Sequence, residues 1–86
     1  MKKLEIIYRK NERECNRALS LIDALKDEND TYRLIEPVLT EAAIGIGTPD
    51  AGQYFILPAF LINGELIHQG GITKEDAKNI LNKTLE

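Results

Sequence analysis

One stretch constrains this chain more than any other: Leu57-Pro58-Ala59-Phe60-Leu61-Ile62-Asn63-Gly64-Glu65-Leu66-Ile67-His68-Gln69-Gly70-Gly71. A proline opens an apolar run, Asn63-Gly64 breaks it, and a second run ends at a glycine pair. Asn-Gly supplies two consecutive residues that tolerate positive φ, as a type I′ turn between twisted antiparallel strands requires. Residues 59–62 and 65–68 are therefore predicted to form a β-hairpin. Pro58 has no N–H to give to a ladder, so it must stand at the start of its strand.

Upstream, residues 3–9 contain Leu4, Ile6, Ile7 and Tyr8, a short β-branched and aromatic pattern that reads as a buried strand. Residues 10–14 are polar and read as a loop. Cys15, Ala18, Leu19, Ile22 and Leu25 then share one helical stripe, with Arg17, Asp23 and Lys26 off it. This helix starts at Asn11 or Glu12 and ends at Glu28-Asn29-Asp30. Residues 31–38 alternate weakly through Tyr32, Leu34, Ile35 and Val38 and read as a second strand, which Pro37 assigns to a sheet edge. Residues 40–47 admit either a short helical turn or an irregular apolar loop. Thr48-Pro49-Asp50 supplies an N-cap, a first-turn proline and an anion at the positive helix end, predicting a short helix from Pro49 towards Phe55 weakened by Gly52. In the last helix Thr73 and Asp76 have capping-box spacing, Ile72 and Ala77 suit a hydrophobic staple, and Ala77, Ile80, Leu81 and Leu85 give the buried face.

The opening strand–helix–strand unit predicts a parallel pair with a right-handed crossover, and the hairpin predicts an antiparallel pair. The expected class is α/β: one domain with a four-stranded mixed sheet and helices on both faces. With 86 residues there is room for one small core. A net charge of -3 argues against general nucleic-acid binding. Lys2, Lys3, Arg9, Lys10, Arg13 and Arg17 nevertheless gather near the start, either as a solvated rim or as a surface for an anionic partner. The single cysteine, Cys15, precludes an intramolecular disulfide. The first apolar run, Leu4–Tyr8, is interrupted by Glu5 and is too short for a secretory h-region, and no stretch is long enough to span a membrane. A cytoplasmic location in a thiol-reducing cell is expected.

The element order, the proline before the third strand, the run from Leu57 to Gly64 and the glycine pair before the last helix resemble the thioredoxin-fold family. The similarity covers nearly the whole chain and is greatest to its glutaredoxin-like and small archaeal thioredoxin-like branch. The family normally has Val, Ile or Thr before the proline, where this chain has Leu57. The resemblance implies a cis Pro58, and it matches Cys15-Asn16-Arg17-Ala18-Leu19 to the helix following the family's active-site loop. There the sequence departs. The CxxC motif would end at Cys15 and begin at position 12, which is Glu12, and the preceding loop is one residue shorter than usual. The nucleophile of CxxC chemistry is the first cysteine, whose pKa is lowered at a helix N-terminus. A carboxylate cannot attack a disulfide.

Each candidate residue then has two readings. Cys15 is either a buried apolar member of its stripe or a catalytic thiol restricted to mixed and intermolecular disulfides. Glu12 is either a solvated loop residue or helix-start anion, or an acid or base, a role for which the sequence offers no partner. His68 reads as an exposed strand residue, and no metal site is expected. In the family, the backbone beside the cis-proline pairs with extended peptide or glutathione, and the Gly-Gly turn and next helix start hold the γ-glutamyl carboxylate. This carry-over gives a groove of Glu12, Leu57, Pro58, Gly70, Gly71 and Thr73, with glutathione as the one small molecule the resemblance admits. The alternative for the glycines is that they only supply positive φ between strand and helix. Two functions follow: a binding module for a peptide or protein in the cis-proline groove, without dithiol chemistry, or a glutaredoxin-like thiol–disulfide oxidoreductase using Cys15. The monothiol branch that holds iron–sulfur clusters with glutathione keeps its cysteine at the first position, which argues against that activity here.

Overall fold

The computed structural model describes residues 1–42 and 56–86. The first apolar run becomes β1 (Leu4–Tyr8), an interior strand of a four-stranded sheet ordered β2-β1-β3-β4. β2 (Val38–Glu41) runs parallel to β1, whereas β3 (Ala59–Ile62) runs antiparallel to it and β4 (Glu65–Gln69) antiparallel to β3. The sheet is therefore mixed, and the expected parallel and antiparallel pairs are both present. The hairpin turns at Asn63 and Gly64, with φ of 52° and 84°, the two positive values of a type I′ turn. Asn63 also ties the turn to the chain start: its N–H donates to the Lys3 carbonyl at 2.9 Å and its side-chain oxygen accepts from the Lys3 N–H at 2.9 Å.

The hairpin register carries one irregularity that the sequence pattern did not indicate. Phe60 pairs with His68 but Leu61 pairs with Leu66, so Ile67 is an extra residue in β4. The bulge lets Ile67 pack against the core while His68 stays opposite Phe60.

Among the described residues three helices cover one face, and the expectation of helices on both faces falls in part on residues outside the described ones. α1 (Arg13–Glu28) buries Cys15, Ala18, Ile22 and Leu25 of the expected stripe, with Leu19 only partly buried. α3 (Lys74–Leu85) buries Ala77, Ile80, Leu81 and Thr84; Leu85 is only partly buried, and the Thr84 hydroxyl donates to the Ile80 carbonyl at 2.9 Å. These side chains meet Leu4, Ile6, Phe60 and Ile62 from alternate positions of β1 and β3, with Ile72 closing the end, in one apolar cluster. Burying each large aliphatic or aromatic side chain of this kind stabilises the fold by about 1.5–3 kcal/mol. On the opposite face Ile7 and Ala59, which pair across β1 and β3, are also buried. The helix expected from Pro49 towards Phe55, and most of the ambiguous stretch 40–47, lie outside the described residues; residues 40 and 41 complete β2.

One strand expectation is corrected. Residues 31–38 are not a strand: the chain forms a short helical turn, α2 (Asp30–Arg33), and β2 begins only at Val38. The Asn29 side chain accepts from the N–H groups of Thr31 and Tyr32 at 2.9 and 3.4 Å, capping a new turn where the alternation suggested extension. Tyr32 and Ile35 are then buried three residues apart, a helical spacing, and the Tyr32 hydroxyl donates to Asn82 of α3 at 2.7 Å. Pro37 lies outside β2, immediately before it, and β2 is at the sheet edge, as Pro37 suggested.

Candidate functional site

The C-terminal ends of β1 and β4 and the start of β3 lie at one end of the sheet, because Ile7 and Gln69 both pair with Ala59. The N-termini of α1 and α3 follow directly from β1 and β4, so both helix starts belong to this end. In open α/β sheets the crevice outside the carboxyl ends of strands is the usual ligand site.

On the α1 side, Asn11 turns the chain with φ 64°, a left-handed conformation that Asn tolerates better than most residues. Glu12 is the N-cap residue but makes no side-chain cap bond. Its carboxylate lies 3.7 Å from the Arg9 guanidinium and accepts from the Cys15 thiol at 3.6 Å. The Arg9 N–H in turn donates to Cys15 Sγ at 3.4 Å. Cys15 is fully buried, at 0% exposure. Burial pushes its pKa above the ordinary 9.0; the charge and hydrogen bond of Glu12 push the same way, against the Arg9 N–H and the Arg9 charge. The sulfur is thus a protonated thiol at neutral pH, shut off from solvent and engaged on both sides.

On the opposite side, the Leu57–Pro58 bond is cis, as the resemblance implies, with Pro58 buried and Leu57 half-buried. Gly70 holds this segment to β4: its N–H reaches the carbonyls of Ile56 and Pro58 at 3.0 and 2.9 Å. Ile56 returns the contact, donating its N–H to Gln69 Oε1 at 3.0 Å. Gly70 has φ 88° and therefore supplies the left-handed turn; Gly71 does not, so the positive-φ reading applies to only one glycine of the pair. What distinguishes Gly71 is its neighbour. The Glu14 carboxylate lies where a Cβ at Gly71 would sit, joining the α1 start to the Gly-Gly turn.

Thr73 starts α3 with both halves of a capping box: its hydroxyl accepts from the Asp76 N–H at 3.1 Å and its own N–H donates to the Asp76 carboxylate at 3.0 Å. His68 is half-buried rather than exposed. It packs edge-on against Phe60, centroids 5.9 Å apart, with Nε2 3.3 Å from the Gly71 carbonyl.

The structure thus brings Glu12 to Cys15, Pro58 to Gly70, and Glu14 to Gly71. Thr73 is held by its own helix. Glu14 was not singled out by its residue type; its place on the first turn beside Glu12 was the only sequence signal. Among the described residues no group of three or more His, Cys, Asp or Glu could hold a metal, and no helix is long and apolar enough to cross a membrane. Comparison with known proteins finds no matching family model, no matching curated protein and no matching solved structure.

Proposed function

We propose that this chain is a thioredoxin-fold domain of glutaredoxin-like type that performs no dithiol exchange and binds an extended peptide or protein segment along the backbone beside Pro58, in the cytoplasm. The observation that carries the proposal is the state of Cys15: the only sulfur able to do thiol chemistry is fully buried, and its pKa is raised. The sheet order and the antiparallel hairpin after Pro58 support the fold assignment. Glu12 stands where the family's attacking thiol would be, and it tightens the protonated form of Cys15 rather than ionising it.

The same geometry supports a neutral or basic ligand over glutathione. A γ-glutamyl carboxylate at the Gly-Gly turn would meet Glu14 against Gly71, with Glu75 and Asp76 in the first turn of α3. The α3 start already uses the Thr73 and Asp76 N–H groups internally, leaving fewer donors for an anion. Peptide backbone needs no such charge and pairs with carbonyls and N–H groups instead.

The test is a disulfide-reductase assay with glutathione and with a dithiol donor, using the full chain and two variants. No turnover is expected from the unaltered protein. Glu12→Cys is expected to form an intramolecular disulfide with Cys15 on oxidation. Turnover by the unaltered protein that Cys15→Ser abolishes would overturn the proposal, and failure of the Glu12→Cys disulfide would overturn the match of position 12 to the first CxxC position.

A further inference from the structure

A second surface lies away from this end of the sheet, along the β2 edge. β2 pairs with β1 on one side, and among the described residues no strand lies on its other side. Such an edge presents backbone N–H and C=O groups to a further strand, and natural edges are often protected by lysine, which β2 lacks. Instead Val38 and Leu39 are 44% and 52% exposed. Leu39 is in register with Ile6 and so lies on the helix-bearing face. There it joins Leu19, Ile22 and Pro37 around an open cleft of about 360 Å³, rimmed by Asp23, Lys26 and Glu36. On the other face Glu5 stands beside Val38 and accepts from the Thr40 hydroxyl at 2.8 Å, while Glu41, two residues after Leu39, ends the strand on the helix-bearing side. Four carboxylates, Glu5, Asp23, Glu36 and Glu41, therefore lie on or beside this edge, and among the residues lining the cleft Lys26 is the one cation.

We propose that β2 accepts an added strand from a basic peptide segment with alternating apolar residues. Side chains of an added strand alternate between faces, so the residue beside Leu39 points towards the cleft and is apolar. Long basic side chains two residues before and two residues after it share its face and reach Glu36 and Glu41. Backbone pairing supplies the attachment, and the cleft and the carboxylates select the sequence. A second copy of this chain is a poorer occupant: two β2 strands side by side would gather Glu36 and Glu41 of both copies into one seam, with no basic side chain on either strand.

The probe is a capped octapeptide of alternating Lys and Val in which one central Lys is replaced by Leu, so that Leu and the flanking Lys share a face, titrated into the ¹⁵N-labelled protein. Amide shifts and slowed hydrogen exchange are expected at residues 38–41, with affinity falling as salt rises. Leu39→Lys, a change at an exposed position, is expected to weaken binding about tenfold or more, and a peptide with Glu in place of Lys to bind far less. A backbone N-methylated peptide, tested on the unaltered protein, should lose the interaction whatever the variant does to folding. Equal binding of the N-methylated or the acidic peptide would overturn the proposal, as would no binding at millimolar peptide. Shifts confined to residues 57–58 and 70–73 would overturn it while leaving the groove reading intact. A concentration-dependent dimer abolished by Leu39→Lys would assign the edge to a second copy instead.

Discussion

Two helices start at the same end of the sheet, and they start differently. α3 uses its first polar groups on itself: Thr73 and Asp76 satisfy each other's N–H groups at 3.0 and 3.1 Å. α1 begins on Glu12, whose backbone has the extended N-cap conformation but whose side chain caps nothing. Its carboxylate turns back to Arg9 and to the Cys15 thiol. The first arrangement stabilises a helix; the second adds the Glu12 carboxylate to the burial that raises the Cys15 pKa. α3 thus uses its first N–H groups internally, whereas α1 leaves its own without a side-chain cap but sets the carboxylates of Glu12 and Glu14 beside them, which disfavours a thiolate or a bound anion there. The contrast is the ground on which backbone binding is proposed over thiol exchange.

The largest expected effect tests the α1 side. Native Cys15 should react with iodoacetamide at neutral pH slower than the urea-unfolded chain by on the order of a hundredfold or more, because reaction needs local opening. In Glu12→Gln the pKa should fall, since one charge that favours the thiol is gone, yet labelling should stay slow because burial is the leading cause of the raised value. The sign follows from linkage. A folded-state pKa above 9.0 contributes stability that is complete below that value and is lost as pH rises through the folded value. Native labelling as fast as that of the unfolded chain would erase the distinction between the two helix starts.

The next effect compares the starts directly. Thr73→Ala removes a cap that exists and should destabilise the domain by about 1 kcal/mol, lowering Tm by roughly 4–8 °C. Glu12→Ser offers α1 a cap that it lacks and should act in the opposite direction, by up to about 0.5 kcal/mol once the half-exposed Arg9 pair is lost. Urea midpoints of the two variants check both signs. If Glu12→Ser destabilises the protein, the carboxylate contributes more through Arg9 and Cys15 than a cap would contribute through the helix.

How much of this was legible in the sequence follows from how local each device is. Asn63-Gly64 encodes its turn within two residues, and Thr73 to Asp76 encodes its box within four, so both could be read directly. The stripe through Cys15 likewise announced a buried sulfur, because helical spacing fixes which residues share a face. The short turn after Asn29 was misread: Tyr32, Leu34, Ile35 and Val38 satisfy alternation as a pattern, and only the Asn29 side chain, bonded to Thr31 and Tyr32, decides for the helical turn. The Ile67 bulge was invisible because one inserted residue leaves an apolar run unchanged in character. The approach of Glu14 to Gly71 joins positions distant in sequence, and nothing in either residue's neighbours encodes it. In the site, Glu12 lies three residues before Cys15, so their contact was within reach of helical spacing, whereas the direction of the Glu12 carboxylate depended on Arg9.

The smallest expected effect is the acid dependence of the α3 start. The Thr73 N–H, then its hydroxyl contact, hold the Asp76 carboxyl below its ordinary 3.8. A carboxylate with a lowered folded-state pKa contributes stability above its unfolded value, and that contribution is lost as pH falls through the folded value. Asp76 is solvent-accessible, so water screens the interaction and the slope should be shallow. Asp76→Asn keeps an acceptor for the Thr73 N–H but removes the titration, so its urea midpoint should fall less than that of the unaltered protein between about pH 5 and pH 2. Thr73→Ala should flatten the same limb in part, because the hydroxyl contact is lost while the backbone N–H remains. An unaltered protein whose acid limb matches that of Asp76→Asn would mean that the carboxylate half of the box contributes nothing in solution. α3 would then start on the Thr73 hydroxyl alone, and the difference from α1 would reduce to that one hydrogen bond.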